Sequence, residues 1–187
     1  MNQTLFTLVH QFAGRSLFLD YLGIFTADYL PYLMGVAFLV LAWYQEGWRR
    51  KAYLFAEGAL AAILSRGIVT ELIRFFYHHP RPFDFYHFTP LIAESGSSFP
   101  SGHMTFFFAL AVVIWYANRT WGWWYLALSA AVGIARIYVG VHWPYDIAGG
   151  ALIGIACGLI VHWALRKYRK ELYRAKPAAP PSTSAVS

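Results

Sequence analysis

The chain has 187 residues, of which 58% are apolar, 19% aromatic and only 13% charged, against roughly 25% charged in soluble proteins. That length sets one domain, over 1–176, and that composition sets an all-α, polytopic membrane bundle and excludes an ordinary soluble fold. The formal net charge of +6 does not mark a nucleic-acid binder, because ten of the fifteen Lys and Arg fall in Arg49, Arg50, Lys51, Arg119, Arg166, Lys167, Arg169, Lys170, Arg174 and Lys176, clusters of the kind that flank membrane helices.

In chain order, residues 4–26 form an apolar stretch interrupted by His10, Gln11, Arg15 and Asp20. Such groups are costly at a bilayer centre, so the stretch is expected to lie on the membrane as an amphipathic helix, with a sixth crossing as the alternative. The first Lys or Arg is Arg15, so the basic n-region of a cleaved signal peptide is not expected. Segments 28–45, 53–75, 103–117, 121–141 and 146–165 are the five expected crossings, most of them near the ~20 residues that span hydrocarbon. The aromatic-rich segment 83–99 is the one long connection, suited to the headgroup level and to bordering the way in for a lipid. Trp121, Trp123 and Trp124 mark an interfacial belt. Gly150, Gly154 and Gly158, four apart on the last helix, mark a close helix contact. Cys157, the single cysteine, reads as a small packing residue. The Pro, Ala and Ser stretch 177–187 reads as a disordered tail.

Five crossings bring loop 46–52, loop 118–120 and the C-terminal end to one side, and the ten basic residues just named occupy those places. The positive-inside rule makes that side cytoplasmic. Three polar strings then fall together on the opposite, extracytoplasmic side: Arg74-x6-Arg81-Pro82, Pro100-Ser101-Gly102-His103 and Arg136-x5-His142-x3-Asp146.

These strings hold three guanidiniums, two imidazoles, a hydroxyl and a carboxylate. Guanidinium forks match phosphate oxygens, and two histidines can divide attack on phosphorus from protonation of the departing oxygen. Ser101 is placed as the N-cap of the helix beginning near Gly102, whose free amides suit an anion. His142 and Asp146 stand four apart across the Pro144 break, so the carboxylate can orient the imidazole. Arg136 lies inside an apolar run, where a guanidinium needs an anionic partner or a wet cavity. Glu71 is an i,i+3 partner for Arg74. His78 and His79 lie beside the strings without the other ligands of a zinc site. Arg66 and Glu57, nine apart and so on opposite helix faces, do not pair with each other and have no role in this reading.

The three strings resemble the signature of the type 2 phosphatidic acid phosphatase superfamily, written Lys-x6-Arg-Pro, Pro-Ser-Gly-His and Ser-Arg-x5-His-x3-Asp, over residues 74–146. Two positions depart from it: Arg74 stands for the lysine and Ala135 for the serine before Arg136. Arg74 keeps the charge with a wider fork, and the missing hydroxyl at Ala135 is expected to matter little. The resemblance implies that His142 attacks phosphorus to give a phosphohistidine, that Asp146 orients it, and that His103 protonates the leaving oxygen. It further implies that Arg74, Arg81, Ser101, the Gly102 amide and Arg136 hold the phosphoryl oxygens, with no metal and no cofactor.

In length and layout the chain is similar to the small bacterial undecaprenyl-diphosphate phosphatases linked with bacitracin resistance. That likeness implies a multi-pass protein of the bacterial plasma membrane acting on a lipid diphosphate. The alternatives are hydrolysis of another lipid phosphate (phosphatidylglycerophosphate, phosphatidic acid or lipid A phosphate), or non-enzymatic binding or transport of a lipid phosphate. Binding alone needs no paired nucleophile and acid, which disfavours the last.

Overall fold

The structure, a computed structural model, describes residues 1–174; the expected disordered tail at 177–187 lies outside the described residues. Seven helical elements are described. Helix α1 is Asn2–His10, and α2 is Leu17–Trp43, with a π-helical turn at Phe25–Tyr29. Helix α3 joins Trp48–Ala62, a π-helical stretch Ile63–Val69 and Thr70–Phe76. Helix α4 is the short Pro82–Tyr86, α5 is Gly102–Ala117, α6 is Arg119–Tyr138 and α7 is Pro144–Arg174. Strands are absent among the described residues.

The N-terminal stretch departs from the expected single element. Gly14, at φ 75°, turns the chain after α1, and residues 17–26 run directly into α2. Asp20 does not prevent this, because its Oδ1 accepts hydrogen bonds from the Tyr138 hydroxyl (2.7 Å) and the Gly14 amide (3.0 Å) at the polar end of the bundle. What remains of the expected surface helix is α1, nine residues and so roughly 13 Å long, less than half the ~30 Å of a hydrocarbon core. It lies across one end of the bundle: Phe6 packs on Trp143, and His10 Nδ1 donates to the Tyr138 carbonyl (2.8 Å).

Two helices, Leu17–Trp43 and Pro144–Glu171, are long and apolar enough to cross a membrane by length and composition. The bundle exposes aliphatic and aromatic side chains on its outer faces, among them Tyr32, Leu33 and Val36 of α2, Leu72 of α3 and Leu152, Ile160 and Trp163 of α7. Its centre is packed by Met34, Phe38, Met104, Phe107, Leu110, Ile114, Tyr125 and Val132. Buried Thr70, Thr105 and Ser129 also lie inside, so the distribution suits a hydrocarbon surround rather than water.

Helix α5 is the axis of the molecule, and α7 is pressed onto it by the glycines. A Cβ at Gly150 would fall 2.7 Å from the Ser101 carbonyl oxygen, one at Gly154 2.5 Å from that of Thr105, and one at Gly158 2.9 Å from that of Ala109. Backbone meets backbone along two turns, which sets the start of α7 beside the start of α5. Thr70 Oγ1 accepts from the Thr105 hydroxyl (3.0 Å), tying α3 to the same axis, and the Tyr125 hydroxyl donates to the Met34 carbonyl (2.8 Å), tying α6 to α2.

Candidate active site

The three polar strings come together at one end of the bundle. The opposite end gathers the basic clusters, since Tyr53 donates to the Leu165 carbonyl (3.4 Å) and Arg169 to that of Tyr116. The site is thus assembled from the end of α3, the connections on either side of α4, the start of α5, the end of α6 and the turn into α7.

His142 and Asp146 are each 1% exposed. His142 Nδ1 lies 3.4 Å from Asp146 Oδ2, an oxygen that also accepts from the Trp143 amide (2.8 Å) and from the Ser98 hydroxyl. His79 Nδ1 is 3.7 Å from the other oxygen, Oδ1. A carboxylate fixed from several sides holds the imidazole by Nδ1 and leaves Nε2 free to act. Burial pushes the His142 imidazole down to about 4, outweighing the Asp146 hydrogen bond that raises it, with Arg136 and Arg81 adding to the lowering. The ring is therefore neutral near pH 7, the state in which a nitrogen lone pair is available.

Ser101 occupies the N-cap position of α5, but its hydroxyl makes no capping bond and is a buried atom without a protein partner. Its amide donates to the Asp146 carbonyl (3.1 Å), locking the two helix starts together. The first amides of α5, from Gly102 onward, point out of the helix start as any N-terminal turn requires. His103 follows and lines a groove between α2 and α5.

The guanidiniums are held by the backbone. Arg74 Nη2 donates to the Pro100 carbonyl (2.9 Å), and its Nε is buried without a partner. Arg81 donates to the carbonyls of Gly96 (3.0 Å), Ser95 (3.0 Å) and Val141 (2.9 Å), so it stitches the 87–101 connection to the turn carrying His142. Arg136 is 1% exposed, donates to the Ala27 carbonyl (3.3 Å) and pairs with Glu94.

Glu94 is the group that sequence reasoning missed. Its carboxylate pairs with Arg136 and stands 3.9 Å from Arg81, in the position that the resemblance gives to phosphate oxygens. Burial would raise this carboxyl, but Arg136 and Arg81 together hold it below the ordinary carboxylate range. Ser98 was also missed. Both lie in a loop with no periodicity, and the only signal near them was the expectation that this aromatic segment borders the way in for a lipid.

Arg66 and Glu57 acquire partners that local spacing did not reveal. Arg66 pairs with Glu71, which also stands 3.8 Å from Arg74, and Glu57 pairs with His162 of α7 at 2.7 Å. The aromatic connection is less uniformly peripheral than expected: Phe88 packs over Gly140 and against His10, and Phe99 packs on Gly149. Among the described residues, no three of His, Cys, Asp and Glu are grouped to hold a metal ion.

A helical bundle that gathers two histidines, a carboxylate and several guanidiniums at one end defines a class of phosphatase sites. The chain belongs to the PAP2 superfamily, which residues 55–170 match. It is 30% identical over 169 residues to the bacitracin transport permease protein BcrC of Bacillus licheniformis, covering 89% of this chain and 82% of that protein. It is 29% identical to the undecaprenyl-diphosphatase BcrC of Bacillus subtilis, covering 86% of this chain and 82% of that one. The crystal structure of Aquifex aeolicus LpxE superposes with a TM-score of 0.71 at 27% identity, covering 86% of this chain and 93% of that chain.

Proposed function

We propose that the protein hydrolyses undecaprenyl diphosphate to the monophosphate through a phosphohistidine on His142, at the extracytoplasmic face of a bacterial plasma membrane. The observation that carries the chemical part is the buried His142–Asp146 pair beside an unpartnered Ser101 hydroxyl and the start of α5. The likeness to BcrC over most of both chains supports the substrate.

In the first step His142 Nε2 attacks the terminal phosphorus, and the bond from that phosphorus to the bridging oxygen breaks. The electron pair stays on the oxygen, which takes a proton from His103. In the second step water attacks the phosphohistidine, returns a proton to His103 and releases orthophosphate. Arg74, Arg81, Arg136, the Ser101 hydroxyl and the Gly102 amide hold the oxygens whose charge grows in each transition state. Those cations supply the neutralisation that Mg²⁺ supplies elsewhere, so activity is expected to persist in EDTA. The phosphate exchanges with the Glu94 carboxylate on Arg136 and Arg81.

Helices α2, α3, α5, α6 and α7 form five crossings of one domain, α1 lies at the interface above the site, and the basic end faces the cytoplasm. Phosphate release from a panel of purified lipids in detergent tests the reading. Prenyl diphosphate is expected to be the preferred substrate; a preference for phosphatidylglycerophosphate, phosphatidic acid or lipid A would overturn the assignment.

A further inference from the structure

Arg66 is a cation of α3 outside the cradle described above. It sits in the π-helical stretch Ile63–Val69, which the Thr70 hydroxyl helps close by donating to the carbonyl of Ser65, five residues back (2.8 Å). A single π turn rotates the following helix and re-aims side chains, a device common at functional sites. Here it lays the Arg66 side chain across the start of α5: a Cβ on Gly102 would fall 2.6 Å from Arg66 Nε and 3.2 Å from Cζ. Glycine at position 102 therefore makes room for a guanidinium.

Arg66 and His103 share a groove of about 510 Å³ between α2 and α5, whose other walls include Tyr32, Val36, Leu39 and Phe106. The groove is apolar except where these two side chains enter it. Arg66 pairs with Glu71 through Nη1, yet its side chain stays 41% exposed and lines the groove, so the planar fork has further donors to offer a ligand there.

In-line displacement places the leaving group opposite the nucleophile. With His142 attacking and His103 protonating the departing oxygen, whatever that oxygen carries lies on the His103 side. In a lipid monophosphate it carries carbon. In a lipid diphosphate it carries a second phosphate first, and an anion must then fit beside His103 before the hydrocarbon begins.

We propose that Arg66 binds the lipid-proximal phosphate of a diphosphate substrate, with the prenyl chain lying along the groove between α2 and α5. This rests on the roles given above to His142 and His103. Arg66 stabilises the lipid monophosphate as it departs, when the bridging oxygen gains the electron pair of the broken bond. It thereby selects diphosphates over monophosphates, as one geometrically matched, charge-assisted contact can.

The test compares farnesyl diphosphate with farnesyl monophosphate, which share a chain and differ by one phosphate, on the purified full-length protein in detergent. For Arg66→Ala, kcat/KM on the diphosphate is expected to fall by about tenfold or more while that on the monophosphate stays within about twofold. Arg66→Lys restores part of the loss. Inhibition by orthophosphate, which needs only the terminal cradle, stays unchanged and reports that the fold is intact. Equal losses on both substrates would reduce Arg66 to a support for Glu71 and Arg74, and no loss on the diphosphate would remove it from the site; either result overturns the proposal. If the alanine variant does not fold, Arg66→Gln, which keeps the bulk and a donor to Glu71, gives the same comparison. The substrate reading fails separately, if the wild-type protein prefers the monophosphate; the Arg66 proposal is then still decided by whether the variant changes the ratio of the two rates.

Discussion

At the scale of single residues, the site depends on how thoroughly one carboxylate is held. Asp146 Oδ2 faces His142, the Trp143 amide and the Ser98 hydroxyl together, so it cannot turn away without leaving several buried donors unsatisfied. Asp146→Asn keeps the shape but offers the ring an amide that can present a donor where an acceptor is needed. Turnover is expected to fall by about 10²–10⁴ with little change in KM, measured as phosphate release. Ser98→Ala is expected to lose far less, on the order of tenfold, because the Trp143 amide still fixes the carboxylate. The neutral state of His142 is directly measurable. In ¹⁵N-labelled protein its ring is expected to gain a proton with a midpoint near 4, so activity falls as pH drops through that value rather than through the ~6.5 of a free imidazole. A midpoint near 6.5 would mean that water reaches the ring. The residues of the three strings were legible because each string lies within one helix end or one turn, where spacing fixes proximity. Glu94 and Ser98 were not, since a loop contact has no period to read, and Arg66 gave only the anomaly of a charge in an apolar run.

At the scale of elements, the α5–α7 contact decides whether the strings meet. The four-residue glycine spacing was readable as a close contact, and its consequence is the Ser101 amide bonded to the Asp146 carbonyl. Gly154→Leu forces the backbones apart at a 2.5 Å approach and is expected to destabilise the fold by about 1–3 kcal/mol or more, seen as a lowered Tm in detergent. Gly35 of α2, where an added Cβ meets nothing within 4 Å, is the control position for the same measurement. The 87–101 connection acts as one unit through Glu94. Glu94→Gln removes the charge that competes on Arg136 and Arg81, and orthophosphate is expected to inhibit the variant more tightly, by about tenfold. Weaker inhibition would show that Glu94 helps build the cradle instead. The all-helical architecture followed from hydropathy, but the π-helical turns in α2 and α3 did not, because an inserted residue leaves the average apolarity of a segment unchanged. The start of α2 was misplaced for a related reason: Asp20 reads as a break until its partner Tyr138, more than a hundred residues away, is known.

At the scale of the whole molecule, polarity runs from end to end. Arg49, Arg50, Lys51, Arg119 and Arg166 lie at one end, and His103, His142, Asp146 and Glu94 at the other. In a Cys157→Ala background, Thr89→Cys at the site end is expected to react with a membrane-impermeant maleimide added to intact spheroplasts, and Glu46→Cys at the basic end only after lysis. The reverse pattern would place the chemistry in the cytoplasm and remove the extracytoplasmic substrate. In the proposed reaction, distant parts of the chain converge on one phosphoryl-transfer site whose nucleophile is His142. Rapid quenching of the purified protein during turnover of terminally ³²P-labelled prenyl diphosphate tests it most directly. Alkali-stable, acid-labile label is expected on the peptide containing His142 and is expected to be absent from His142→Ala, which also loses turnover by at least about a thousandfold. Label on the His103 peptide instead, or undiminished turnover by the His142→Ala protein, would contradict it.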